Sequence, residues 1–322
     1  MVTFRKHALN LNEQIQTLIA RGLVVTDPVR AKRYLKNISY FRLSAYTRPF
    51  YIPGSGDDHR FIAGTSFDDV LNLYIFDREL RLLLLDAIER IEVALRAQLT
   101  QALATRHGPH GYLNPSIFNS RYNHQWLIKE LTSKSERREL ETFLESYQRK
   151  YPDSPVQPPL WMALELLSFK QISELFANLR SPDDQKPLSE HFGFQFPVLK
   201  TWFRSLSDLR NHCAHHARVW NREFGASPTW PRKVPSNWIY VPDSIEVPLS
   251  PTQNINPRRR LYYQLVIIET LLSKVSPGSG WAVRLSELIS RNPKASKVHM
   301  GFPEQWKKEP LWNHAGVNQQ HS

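Results

Sequence analysis

Apolar residues recur along most of this chain at steps of three and four, so it reads as a series of amphipathic helices separated by polar turns. Leu11, Ile15, Leu18 and Ile19 share one face of a short helix over 9–21 that Gly22 stops. Asp27 and Pro28 make the N-cap and first-turn pair that starts a second helix through Leu35. After a polar, Gly-rich loop at 52–65, Ser66 caps the longest helix, with Asp68 and Asp69 in the first turn where the helix dipole favours them. Its stripe, from Leu73 and Phe76 through Leu84, Ile88 and Leu95 to Leu99, continues to about Arg106. At 1.5 Å per residue such a helix is about 60 Å long, the spine of a bundle.

HGPHGYLNP at 107–115 breaks that helix and leaves His107 and His110 as loop histidines. A charged helix is expected near 122–149, then a PDSPVQPP turn at 152–159 and a single apolar helix, LWMALELLSFKQISELFANL, over 160–179. Ser181-Pro182-Asp183-Asp184 reads as the next turn. Leu199, Trp202, Phe203, Leu206 and Leu209 then mark a helix within 197–223, and Pro197 suits its first turn because no N–H is needed there. Residues 225–257 are Pro-rich and aperiodic, a long insertion before a last apolar helix at 258–275; the polar tail from 292 is expected to fray. The fold class is all-α.

A chain of 322 residues is long enough for one large domain or two. Its single cysteine excludes an internal disulfide framework, and its apolar runs are too short and interrupted to span a bilayer, so the expectation is a soluble cytoplasmic protein. The formal charge of +12 is uneven: residues 1–60 hold 10 Lys/Arg against 4 Asp/Glu, and residues 197–322 hold 17 against 8. A basic surface favours a polyanionic partner, although a solvated basic face serves solubility alone.

The densest chemistry rides on the helix after Pro197: Arg210-Asn211-His212-Cys213-Ala214-His215-His216. On a continuous helix Asn211 and His215 share a face, as do His212 and His216. Arg210 lies about 140° from His215 around the axis, within reach of a long guanidinium. One group titrating near neutrality beside a permanent cation with a planar donor fork meets the needs of metal-free phosphodiester cleavage, in which the imidazole moves a proton and the guanidinium stabilises charge on the phosphorane. His212 and His216 with Cys213 form an incomplete zinc set, since a third convincing ligand is missing; helix-end hydrogen bonding by the histidines is the plainer alternative. Asp77, Glu89 and Glu92 sit at helix spacing from Arg81, Arg90 and Arg96 and read as ion pairs rather than metal ligands.

The Arg210-Asn211-x-x-x-His215 run, followed by His216, Arg218, Trp220 and Asn221, resembles the Abi-like (AbiD/AbiF) branch of the HEPN superfamily. SYFRLSAYTRPF at 39–50 and LNLYIFDRELRLLLLDAIERIEVALRAQL at 71–99 fit the same family, in the same order. The resemblance implies a HEPN-like helical bundle at 66–291, interrupted by the 225–257 insertion, with a basic, aromatic helical segment at 1–65 before it and a tail at 292–322. It implies a metal-independent endoribonuclease without cofactor, the toxic effector of an abortive-infection or toxin–antitoxin phage defence. Arg210, His215 and Asn211 are then catalytic, with His216 and His212 auxiliary. One histidine does not readily serve as both base and acid, and the resemblance answers with two motif helices facing each other across a homodimer. RNA is the expected partner, as substrate and as a small non-coding regulator.

Arg42, Arg48, Arg218, Lys233, Arg258, Arg259 and Arg260 are candidate RNA contacts. In the 39–51 block the rings read first as packing, because aromatics dominate cores, and second as base-stacking platforms. The 225–257 insertion is either an RNA-binding flap or a cap packed on the bundle. The alternative function from another class is a non-catalytic RNA-binding regulator on the same fold.

Overall fold

In the computed structural model, which describes residue 3 and residues 7–136, 141–239, 245–246 and 254–317, the apolar repeats form thirteen α-helices. The only strands among the described residues are the antiparallel pair Ile245–Glu246 and Asn254–Ile255, and the fold is all-α. The chain forms two compact units, one comprising residues up to Arg81 together with Glu287–Ser296, the other Leu82–Ser286 with the residues from Lys297 onward.

In the first unit α1 (Leu11–Ala20) begins at a capping box: the Asn10 side chain accepts from the Glu13 N–H, and the Glu13 carboxylate accepts from the Asn10 N–H at 2.6 Å. α2 (Pro28–Ile38) starts on Asp27 and Pro28, and α3 (Tyr40–Ser44) follows after the single residue Ser39. α4 (Phe67–His107) opens with reciprocal hydrogen bonds between Ser66 and Asp69 and contributes its first part to this unit. Ile15, Leu18, Leu35, Leu43, Phe61 and Phe76 are buried. The core also holds a charge. Asp77 is fully buried and pairs with Arg81 one turn on, while the Tyr46 hydroxyl donates to Asp77 Oδ2 at 2.6 Å. A carboxylate removed from water is tolerated there because a cation and a hydroxyl face it. Burial, then the Asp77 charge, push the Tyr46 phenol well above its ordinary value. The aromatic block therefore divides, with Tyr46 in the core and Phe41 88% exposed.

The second unit takes the rest of α4 and the later helices. The expected helix over 122–149 is two, α5 (His124–Ser135) and α6 (Thr142–Lys150), with residues 137–140 outside the described residues. The expected 160–179 helix is broken: α7 (Leu160–Ala163) tightens into a 3-10 turn at Leu164–Leu166, and Ser168 then caps α8 (Phe169–Ala177) with Gln171 in a capping box. Ser181-Pro182-Asp183-Asp184 is the start of a further helix, α9 (Pro182–Phe192), rather than only a turn: Ser181 caps it, Pro182 occupies the first turn, and Gly193 ends it in the left-handed region at φ 76. His107 is likewise no loop residue. It ends α4, and its Nε2 lies 2.8 Å from Oδ1 of the buried Asp184.

α10 (Phe196–Ala214) packs on α8, α9 and α11 (Leu261–Val275). Phe176, Phe192 and Phe203 meet at ring-centroid distances of 5.0–5.1 Å around the α8–α9–α10 junction. α11 is buried on every side from Leu261 to Leu272, which is why its sequence is apolar nearly all round. α12 (Trp281–Ser290) donates Trp281 Nε1 to the Leu83 carbonyl at 2.9 Å. The expected frayed tail is instead packed as far as residue 317: Trp306 and Trp312 cross edge to face at 5.3 Å, and Trp312, in α13 (Pro310–His314), donates to the Tyr262 hydroxyl at 2.8 Å. The buried tail residues, among them Met300, Phe302, Trp306, Leu311 and Trp312, fall at irregular spacings that do not show as a helical stripe in a polar sequence.

Two stability predictions follow from the buried charges. Asp77→Ala, which strands Arg81, should destabilise the fold by roughly 3–5 kcal/mol, whereas Val93→Ala on the exposed side of α4 should change it by about 0.5 kcal/mol or less; denaturant melts of both variants check this. Glu269 in α11 is 9% exposed, Oε2 has no hydrogen-bond partner among the described residues, and burial raises its carboxyl to about 7. The folded chain keeps this proton between its ordinary value of 4.5 and about 7 while the unfolded chain loses it. Stability should therefore fall as pH rises through that window and level off above it. Glu269→Gln should remove this component: its gain over wild type, of the order of 3 kcal/mol above pH 7, should vanish by about pH 4.5. Melting both proteins across pH 4–8 tests the slope.

Candidate functional site

The end of α10 is set by its core face. Leu199, Trp202, Phe203, Leu206, Leu209 and Cys213 are all buried, which turns Asn211 away from the core and leaves Arg210, one turn beyond Leu206, at the end of the buried face; both are half-buried. The helix stops sooner than its periodicity implies. His215 is its C-cap, and its N–H still donates to the Asn211 carbonyl at 3.0 Å, so Asn211 and His215 remain one turn apart. His216 then takes φ 55; its N–H donates to the Cys213 carbonyl at 3.0 Å and the Ala217 N–H to the His212 carbonyl at 2.9 Å. Those two bonds make a Schellman ending with histidine in the position glycine usually fills. His216 thus leaves the helix, and the face it was expected to share with His212 does not exist. Among the described residues no three His, Cys, Asp or Glu side chains gather as a metal site.

Arg210 is tethered from behind. Its Nε lies 3.9 Å from Glu92 Oε2 on α4, and Glu92 Oε1 is 2.7 Å from an Arg96 Nη. Arg96 in turn donates to the carbonyls of Leu164 and Leu167 at 3.1 and 2.8 Å, satisfying groups exposed by the break between α7 and α8. Glu92 is 9% exposed and the Arg210 side chain 39%, so a buried carboxylate lies against a guanidinium that is itself partly open to solvent. Glu92 is the site residue that sequence reasoning missed. Its helix spacing to Arg96 is visible in the sequence; its reach to Arg210, far along the chain, is not.

His212 is half-buried against Phe224, with ring centroids 6.0 Å apart. Burial lowers its pKa, and the charges of Arg222 and His215 lower it further against the opposing pull of Asp208. His215 and His216 are exposed.

The candidate phosphate contacts part company. Arg259 and Arg260 lie 3.0 and 3.8 Å from the Glu223 carboxylate, and Arg259 Nε donates to the Phe224 carbonyl at 3.0 Å; both clamp the segment after the motif to the start of α11. Arg218 and Arg258 are half-buried, and the Arg218 carbonyl accepts from Arg222 at 3.3 Å. Lys233 is exposed and borders, with Arg232 and Lys186, an open cavity of about 340 Å³. Residues 225–239 of the insertion pack as a cap: Trp238 donates to Thr270 at 3.0 Å, and Trp230 stacks on Tyr263 at 5.4 Å. The flap alternative is left to residues 240–244 and 247–253, outside the described residues. Arg42 and Arg48 are exposed in the first unit.

The model of the family described as Abi-like protein matches residues 33–221, more than half of the chain, ending just beyond the Arg210–His216 motif. The chain belongs to the Abi-like protein family. Membership points to abortive-infection defence, and the matched region runs from within α2 through α10 with the whole of the motif. No curated protein and no solved structure matches the chain significantly. No helix among the described residues is long and apolar enough to cross a membrane.

For this Abi-like chain the left-handed His216 separates a backbone role from a chemical one. His216→Gly should keep the helix ending intact, with an unchanged or raised melting temperature. His216→Val, β-branched in the same conformation, should cost about 1–2 kcal/mol. Paired thermal melts read the difference.

Proposed function

We propose that the chain is a metal-independent endoribonuclease acting as the toxic effector of an abortive-infection or toxin–antitoxin defence. The observation that carries this reading is the end of α10, where Arg210, partly exposed and backed by Glu92, lies five residues before the exposed His215. A partly exposed guanidinium backed by a carboxylate is suited to a phosphate, and an exposed imidazole at the same helix end can move a proton.

In the proposed step the ribose 2′-OH loses its proton to His215 as its oxygen bonds to phosphorus. The bond from phosphorus to the 5′ oxygen breaks, and that oxygen takes up a proton, leaving a 2′,3′-cyclic phosphate and a 5′-hydroxyl. Arg210 stabilises the charge on the phosphorane, and Asn211 orients phosphate or the imidazole. The second proton carrier is the His215 of a second copy across a homodimer; a strictly monomeric active enzyme would rule that arrangement out. His212, its pKa lowered, and His216, spent on the helix ending, are auxiliary.

Wild type, Arg210→Ala and His215→Ala, each incubated with RNA in EDTA, test the reading. Cleavage by wild type alone, leaving cyclic-phosphate ends, with both variants reduced about 10²–10⁴-fold yet still binding RNA, is the expected result. Binding by all three with no cutting by any, trigger supplied or not, would make the chain a non-catalytic RNA-binding regulator. Cleavage that needs added metal and ignores His215 would overturn the site assignment.

A further inference from the structure

From Pro28 to Gly56 the sequence contains no acidic residue but six Lys or Arg. Of these, Arg30 pairs with Asp68. Lys32, Arg33, Lys36, Arg42 and Arg48 are exposed. On α2, Val29, Lys32, Arg33 and Lys36 fall at steps of i, i+3, i+4 and i+7 and so share one outer face, opposite the buried Ala31 and Leu35. At its C-terminal end the chain turns through Ser39, at φ 70 and ψ 144, a conformation otherwise left to glycine and costly for a residue with a Cβ. Ser39 bears that strain between α2 and α3, and directly beyond it stands Phe41, the most exposed large apolar side chain described, at 88%.

A row of cations with no acid among them is complementary to a chain of phosphates, and an exposed ring at the end of the row offers a stacking platform for an unpaired base. A membrane surface fits less well, because α2 and α3 expose only Val29 and Phe41 as large apolar side chains, too few for the continuous apolar face an interfacial helix buries. We propose that the outer face of α2 with Phe41 is a binding surface for single-stranded RNA, with Lys32, Arg33 and Lys36 on successive phosphates and Phe41 stacked on a base. The choice of RNA over other single-stranded polyanions rests on the nuclease reading; the surface itself does not.

Binding of the full-length chain to a fluorescein-labelled, single-stranded 2′-O-methyl RNA, which the 2′-OH route cannot cut, is measured by anisotropy across a salt series. Lys32→Glu/Lys36→Glu should weaken binding about tenfold or more and reduce the log–log salt slope by roughly 1.4, two phosphate contacts at about 0.7 each. Phe41→Ala should weaken it about fivefold or more at an unchanged slope. All three positions are exposed, and thermal melts confirm that the variants fold. Affinities within about twofold of wild type for both variants would overturn the proposal. So would binding to phosphatidylglycerol vesicles that needs these residues while RNA binding does not. Cleavage of unmodified RNA is scored separately. A chain that binds through α2 without cutting loses the nuclease reading and keeps this one; a chain that cuts, with α2 variants that bind normally, does the reverse.

Discussion

Burial of one stripe of α10 fixes everything at its exposed end. Trp202, Phe203, Leu206 and Leu209 are wholly removed from water, and each such side chain contributes about 1.5–3 kcal/mol by burial alone. That stripe locks the rotation of α10 about its axis. Asn211 takes the opposite side as a geometric consequence, Arg210 continues the Phe203–Leu206 face at its exposed end, and the cap at His215 completes the turn begun at Asn211. α11, buried on every side, is the surface against which the lock is made, and the Ser205–Gln264 hydrogen bond at 2.9 Å pins the two helices.

Charge in this protein is divided between scaffold and surface. Arg81 and Arg96 hold a carboxylate or carbonyls inside the fold, where an unpaired group is expensive, and Arg259 and Arg260 clamp the exposed Glu223 at its surface. Arg96 is the clearest case. It closes off the carbonyls of a broken helix and, through Glu92, steadies the one motif guanidinium. On α2 Arg30 is used in the same way, against Asp68, whereas Lys32, Arg33 and Lys36 stand on the exposed face, which is what separates an arginine that builds the molecule from a lysine that meets another one.

The helices, the capping residues Asp27, Ser66 and Pro197, and the site cluster itself were legible in the sequence because each is a local signal within a turn or two. Failures came where the decision is tertiary. The 160–179 stretch reads as one helix because its apolar spacing is continuous; Ser168 breaks it, and only the distant Arg96 makes the break affordable. α9 was hidden behind its own start signal, since Ser-Pro-Asp-Asp begins a turn and a helix equally well until Gly193 is seen to close it. His216 was placed on the helix because nothing in its residue type announces a left-handed ending. The partition of arginines between structure and solvent depends on Glu223 and Glu92 meeting them across the fold, a pairing no spacing rule contains.

The Schellman ending carries a last consequence. Helix termini are where amide hydrogen exchange is fastest and local opening least costly. His215 sits in that final turn, held by a single N–H bond to Asn211 and followed by a residue in a disfavoured conformation, while Arg210 lies one turn deeper on firmly packed helix. Any ligand that engages both side chains must also bear the entropy of ordering the turn between them. Affinity and helix-end order are thereby a single thermodynamic quantity at this site, and protection of the His215 amide from exchange becomes a direct gauge of occupancy.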